Sequence, residues 1–240
     1  MKRYLKKAHT YLYLGSVVLF FCLLYLPLYY YSRKPLRYRM FNKYRRLLGF
    51  LSSAGAGIFY RYSFEEQIDW SRPYIICPNH TSNLDITAVT LMAKGNFAFM
   101  GKQELLDNFV TALFFKTIDI PVNRESKINS FRAFKRAEEY LKQGMSVVIF
   151  PEGKIADEFP PRLHTFKNGP FRLAVEQQLP IIPVTLKNVW KKMWDDGSKL
   201  GSRPGICDIR VHKPIETAGL TLDDVDLLRE KVYLIIQQEL

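Results

Sequence analysis

The first acidic residue of this 240-residue chain is Glu65, and the residues before it hold 12 Lys or Arg side chains. The whole surplus of positive charge, +12, therefore lies in the first quarter; residues 65–240 carry 23 groups of each sign. Inside that basic quarter, Tyr11–Ser32 (YLYLGSVVLFFCLLYLPLYYYS) has no charged side chain. At a helical rise of ~1.5 Å, about 20 residues reach ~30 Å, the thickness of a hydrocarbon core. Lys2, Arg3, Lys6 and Lys7 precede the stretch, and Arg33, Lys34, Arg37, Arg39, Lys43, Arg45 and Arg46 follow it. Eleven of the 14 tyrosines lie in residues 1–64, where amphipathic rings suit headgroup depth. A second uncharged stretch, Leu47–Tyr60, is too short to span and reads as an interfacial or re-entrant helix.

This pattern argues against a cleaved signal peptide, since the apolar run is long and no small-residue cleavage site follows it. It also argues against nucleic-acid binding, because the charges bracket a membrane-length segment instead of striping a soluble fold. Residues 1–64 are expected to form a membrane anchor, with apolar segment 11–32 and interfacial segment 47–60, its Lys and Arg facing anionic headgroups. The heavier basic cluster after the segment places the remainder on the cytoplasmic side of the cell membrane. Both flanks are basic, so a single span and a helix pair dipping into one leaflet remain open.

The chain is 48% apolar, enough for one good core. Its three cysteines, Cys22, Cys77 and Cys207, contain no C-x-x-C pair, which excludes a disulfide scaffold and a zinc ribbon. From residue 65 on, short apolar runs alternate with helical patterns. Strands are expected at Tyr74–Cys77, Phe97–Met100, Ile118–Val122, Ser146–Phe150, Ile181–Leu186 and Ile206–Val211. Helices are expected at Leu84–Ala93, Gln103–Phe115, Ser130–Gln143, Gly169–Gln178 and Leu222–Gln238, the third with Phe131, Phe134, Ala137 and Leu141 on one face. The fold class is α/β: residues 65–240 form a single layered domain, with a mostly parallel or mixed sheet flanked by helices, behind the membrane-associated helical segment.

Open α/β sheets bind ligands beyond the carboxyl ends of their strands. There the chain places Asn79-His80, Gly101-Lys102, Asn123-Arg124 and Pro151-Glu152-Gly153-Lys154. On one continuous helix His80 and Asp85 stand ~500° apart and cannot meet. They meet if His80 is in the loop and Asp85 in the first turn of the next helix, N-capped by Ser82 or Asn83. Asp85 then accepts from Nδ1–H, and Nε2 is free as a general base. By itself the spacing more often marks a surface or capping histidine. No G-x-S-x-G elbow is present, so the base would activate an external hydroxyl. Glu152 at a tight turn can accept from a substrate hydroxyl or orient a neighbouring Arg, and Gly153 permits close backbone approach. The planar fork of Arg124 suits a phosphate monoester; Lys102, Arg124 and Lys154 are otherwise solvated surface cations. His9, His164 and His212 have no partner at metal-ligand spacing. Trp190 and Trp194 either cap the cleft, touch the membrane interface or simply pack.

Taken in order, NHTSNLD (79–85), GK-x2-L (101–105), PVNR (121–124), FPEGK (150–154) and IIPVTL (181–186) resemble the four blocks of the glycerolipid acyltransferase family, over roughly residues 72–215. TFKNG (165–169) is similar to that family's lead into the helix before its last block. The best-known members are 1-acyl-sn-glycerol-3-phosphate acyltransferases. The resemblance implies an O-acyltransferase of 65–240 that moves an acyl group from acyl carrier protein or coenzyme A to lysophosphatidate, giving phosphatidic acid. It implies His80 as general base and Asp85 as its orienting carboxylate. Lys102 and Arg124 would hold the acceptor phosphate, Glu152 and Gly153 would shape the acceptor pocket, and Pro183 would match the last block. No metal, cofactor or covalent enzyme intermediate is expected. Where the family's third block commonly runs F-P-E-G-T-R-S, Lys154-Ile155-Ala156 follow here, so a cation stands one position early. That departure keeps another lyso-lipid acceptor, such as a lyso-ornithine lipid, in view. A non-catalytic lipid-binding protein would be expected to lack His80 or Asp85, and a thioester hydrolase would need a nucleophile that is not recognisable.

Overall fold

Pro27 shapes the first element. In the computed structural model, which describes residues 2–123, 125–155 and 157–240, the first helix, α1 (Arg3–Ser32), bends by 65° between Arg3–Leu23 and Tyr25–Ser32. Proline lacks the N–H that would bond one turn back, and its ring crowds the Leu23 carbonyl, which places the break there. No single helix among the described residues is long and apolar enough to cross a membrane, although the two bent halves together meet that test. A second helix, α2 (Tyr38–Gly55), folds back along α1. Ser16 donates to the Ser52 carbonyl at 3.0 Å near one end of the pair, and Tyr31 stacks on Tyr44 near the other, so the helices are antiparallel. They approach closely: a Cβ on Gly55 would lie 2.6 Å from Ser16 Oγ.

The remaining elements, in order, are β1 (Ile58–Phe64), β2 (Ile75–Pro78), α3 (Leu84–Met92), β3 (Phe97–Lys102), α4 (Thr111–Phe115), β4 (Ile120–Val122), α5 (Lys127–Lys142), β5 (Ser146–Ile149), α6 (Gly169–Gln177), β6 (Ile181–Leu186), β7 (Gly205–Val211) and α7 (Val225–Gln238). The seven strands form one mixed sheet in the order β1-β7-β6-β2-β5-β3-β4. Only β6 and β7 pair antiparallel, so β2 to β6 point their carboxyl ends to one edge. The central strands β2, β5 and β6 are buried along their whole length, as expected where helices cover both faces. One core layer joins α3 and β1 to the sheet; the other lies beneath α5, α6 and α7.

This architecture agrees with the layered α/β expectation and corrects several particulars. Leu47–Tyr60 is not a separate helix: Leu47–Gly55 is the second half of α2, and Ile58 onward is strand. The run IFYRYSF, aromatic and alternating, pairs parallel with β7 from Ile58↔Gly205 to Phe64↔Val211, so the sheet reaches back into residues 1–64. Arg45, counted among the headgroup-facing cations, is buried instead. Its guanidinium pairs with Asp119 and lies 4.7 Å from the Phe114 ring centroid, while Asp119 Oδ1 accepts from Phe99 N at 2.9 Å. Asn42 Nδ2 adds a bond to the Phe97 carbonyl at 3.1 Å, so α2 is fastened to β3. The expected helix Gln103–Phe115 divides into a 3₁₀ turn at Gln103–Leu106 and α4, with Asn108 Oδ1 accepting from Val110 N and Thr111 N at the restart. On α5 the buried stripe is Ala133, Ala137 and Leu141; Phe131 stands ~80° round from Leu141 and is exposed.

Candidate active site

The chain leaves β2 through Asn79, which is buried. Its side-chain carbonyl accepts from Leu186 N at 2.7 Å, fastening this exit to the end of β6. His80 follows, its ring stacked on Phe150 with centroids 4.0 Å apart. The backbone then turns into α3, where Ser82 Oγ accepts from Leu84 N at 3.1 Å, and Asp85 occupies the first helical turn. His80 Nδ1 lies 3.0 Å from Asp85 Oδ2, and the same oxygen accepts from Thr81 N at 2.6 Å and Ser82 N at 2.8 Å. A carboxylate accepts, so Nδ1 carries the proton and Nε2 keeps its lone pair. His80 is 17% exposed while Asp85 is fully buried, which presents the imidazole at the surface of a fixed support. Burial raises the Asp85 carboxyl above its ordinary value, and the bonds from His80 and the two amides oppose that rise.

Glu152 departs from its expected place. It is 4% exposed and turns inward: Oε1 accepts from His80 N at 2.6 Å and Oε2 from His164 N at 2.9 Å. With both oxygens on backbone amides it braces the histidine loop against the turn after β5, and is not presented to a substrate hydroxyl or an arginine. Burial pushes its carboxyl up to about 7, and the nearby Asp85 charge adds to this. Gly153 has φ +74, and a Cβ there would lie 3.0 Å from Lys167 Cε and 3.1 Å from Nζ. The Lys167 ammonium thus lies against the FPEG turn, a cation whose only sign in the sequence is the TFKNG segment. Lys154 is exposed, 3.6 Å from Asp157 Oδ2. Lys102 ends β3, exposed, and is in register with Val122 of β4. Arg124 lies outside the described residues.

A strap crosses the histidine loop from its other side. Asp195 N donates to the Thr81 carbonyl at 3.1 Å, and Asn83 N donates to the Asp195 carbonyl at 2.9 Å. The adjacent Trp194 is buried against Phe159, which also meets Trp190 edge-on. Of the other histidines, His9 bonds Ser202 and Ala56 and His212 lies between Glu65 and Thr185, while His164 Nε2 is buried without a partner among the described residues. No cluster of three or more His, Cys, Asp or Glu is placed to hold a metal among the described residues.

The fold is similar to that of the 1-acyl-sn-glycerophosphate (LPA) acyltransferase PlsC from Thermotoga maritima. The two match with a TM-score of 0.77 over 98% of this chain and 93% of that one, at 19% identity. Residues 60–187, which carry most of β1, all of β2 to β6 and the His80–Asp85 pair, match the family described as Acyltransferase, and the chain belongs to that family. Mouse 1-acyl-sn-glycerol-3-phosphate acyltransferase alpha is 30% identical over 165 residues, 68% of this chain and 56% of that protein. A chloroplastic 1-acyl-sn-glycerol-3-phosphate acyltransferase of Arabidopsis thaliana is 31% identical over 188 residues, 73% of this chain and 51% of that protein. The chain thus spans little more than half the length of these relatives.

Proposed function

We propose that the protein transfers an acyl group from a thioester of acyl carrier protein or coenzyme A to the free hydroxyl of 1-acyl-sn-glycerol-3-phosphate, yielding phosphatidic acid. The single observation that carries this reading is the 3.0 Å contact from His80 Nδ1 to the buried Asp85, on a loop held at both sides. Nε2 takes the proton of the acceptor hydroxyl as its oxygen attacks the thioester carbon. The C–S bond breaks, the carrier leaves as thiolate, and the imidazolium returns the proton. Asp85 fixes the tautomer and offsets the positive charge. Lys102 and Arg124 hold the acceptor phosphate, and Lys167 adds a third cation beside the turn after β5. The names of the matched relatives support this choice of acceptor.

The N-terminal hairpin keeps the site at the cytoplasmic surface of the cell membrane, where the acceptor resides. Outward-facing Leu12, Leu19, Leu23 and Leu26 on α1 support this, as does the basic cluster beside them. Both ends of α1 touch the rest of the protein, through the Lys6 carbonyl that accepts from Ser202 N at 2.9 Å and through Tyr31 on Tyr44. On this reading the bent helix dips into one leaflet.

The test is acyl transfer from acyl-CoA or acyl carrier protein to lysophosphatidate by purified protein and by His80→Ala. The variant is expected to lose at least ~10²-fold in kcat with an unchanged circular dichroism spectrum. Near-normal turnover by a folded His80→Ala protein overturns the reading.

A further inference from the structure

Acyl transfer from a phosphorylated thioester carrier to a phosphate-bearing acceptor brings two anionic substrates to one histidine. The cations assigned above serve one of them. Lys102 and Lys167 lie on one flank of β2, after β3 and β5; β6 lies on the other flank. From the end of β6 runs KNVWKKMWDDGSKLGSR (187–203), with five basic and two acidic side chains. It borders a cavity of about 150 Å³ lined by Lys6, Lys191, Lys192 and Arg203, with no carboxylate among the lining residues. Among the described residues none of these four cations makes an ion pair. Of the two acids in the segment, Asp196 accepts from Ser198 N at 2.8 Å, and Asp195 is the strap residue on the histidine loop.

Two further observations mark the cavity as built to receive a ligand. Its wall includes Trp190, Trp194 and Phe159, and Trp194, 5% exposed, keeps its indole N–H buried with no acceptor. A buried donor without a partner is uncommon. Trp194 also directly precedes Asp195, whose backbone bonds Thr81 and Asn83, so the cavity wall is continuous with the loop that carries His80. The cavity thus borders the strap on the histidine loop, on the flank of β2 away from Lys102.

The geometry points to this cavity as the cradle for the phosphate-bearing carrier of the acyl thioester, an inference that rests on the acyl-transfer reading. The cations take phosphate oxygens, and the part of the Trp190 ring left open offers a face for a purine or the pantetheine arm. Coenzyme A and the phosphopantetheine arm of acyl carrier protein share the phosphate and differ in the purine.

Equilibrium binding of free CoA and of holo acyl carrier protein to the full chain in detergent tests this without turnover. Wild type is expected to bind at least one, and 3′,5′-ADP is expected to compete if CoA is the carrier. The double variant Lys191→Gln/Lys192→Gln, and separately Arg203→Gln, are expected to weaken binding about 10-fold or more, in line with lost charge-assisted bonds. In steady state the donor KM is expected to rise likewise, with lysophosphatidate KM and kcat within about twofold. These side chains are solvated enough for the fold to survive, and the Lys→Arg variants provide retained charge as a control. Failure of wild type to bind either carrier overturns the proposal, as does unchanged binding in both variants. Loss of binding to phosphatidylglycerol vesicles with carrier binding intact overturns it in favour of a membrane contact. Binding lost in the variants of a protein that transfers no acyl group leaves the cradle standing and removes the acyl-transfer reading.

Discussion

Helices α1 and α5 are amphipathic in opposite senses. On α5, Ala133, Ala137 and Leu141 face the sheet, and Arg132, Lys135, Glu139 and Lys142 face out. On α1 the inward set includes Thr10, Ser16 and Ser32 beside Tyr13, Phe21 and Leu28, while Leu12, Leu19, Leu23 and Leu26 face out. Small and hydroxylated residues at a helix contact, with leucine outside, are what helices show where the surroundings are as apolar as leucine. The α5 pattern fits a helix that faces water; the α1 pattern fits the hydrocarbon contact proposed above. The junction between them is the buried Arg45–Asp119 pair, which holds α2 on β3 under the rings of Phe97, Phe99 and Phe114.

That junction gives the most damaging way to break the contrast. Asp119→Ala strands a buried guanidinium and removes the acceptor of Phe99 N, for a loss of about 3–5 kcal/mol in unfolding free energy by denaturant titration. If the hairpin and the sheet are one cooperative unit, both melt together; a separate early transition of the hairpin would show that they are not.

Next in size is the brace at the site. The Glu152 carboxyl titrates near 7 in the folded protein, above the ordinary carboxylate range of the unfolded chain. Between those two values the folded state holds more protons, so its stability falls as pH rises from about 4.5 to about 7 and is level above. The full swing is on the order of 3 kcal/mol. Glu152→Gln is expected to flatten that slope in melting curves across the window. At pH 8 it is expected to slow acyl transfer, because an amide cannot accept from both His80 N and His164 N. A variant whose stability keeps the wild-type slope would show that another group is responsible.

What the sequence discloses and what it conceals divide along the same lines. The His80–Asp85 contact spans five residues and depends on one local choice, a loop followed by a helix start, which Ser82 and Asn83 signal. The central strands declare themselves as continuous apolar runs. β1 was hidden because it follows the basic segment and its partner, β7, begins at Gly205, far along the chain. Arg45 reads as one more headgroup cation until its partner, 74 positions away, is brought beneath it. Glu152 is visible as a turn carboxylate, but the direction it faces is set by where two distant amides lie. Pro27 was in plain view; the 65° bend shows that it divides the apolar run where charge and length count it as continuous.

The smallest expected change in stability bears on the largest claim about α1. Leu19→Gln and Leu26→Gln lie on its outward face, where substitution shifts folding free energy by no more than about 0.5 kcal/mol. Ser16→Leu, pressed against Gly55 and Ser52, is expected to cost about 1–3 kcal/mol by overpacking although it makes α1 more apolar. If hydrocarbon is the solvent of that face, the paired glutamines release the protein from anionic vesicles in flotation while its melting point in detergent holds. Ser16→Leu does the reverse, staying with the vesicles and melting earlier. Retention of the paired-glutamine variant on the vesicles would mean that the basic cluster alone holds the protein at the surface and that the leucine face has some other partner.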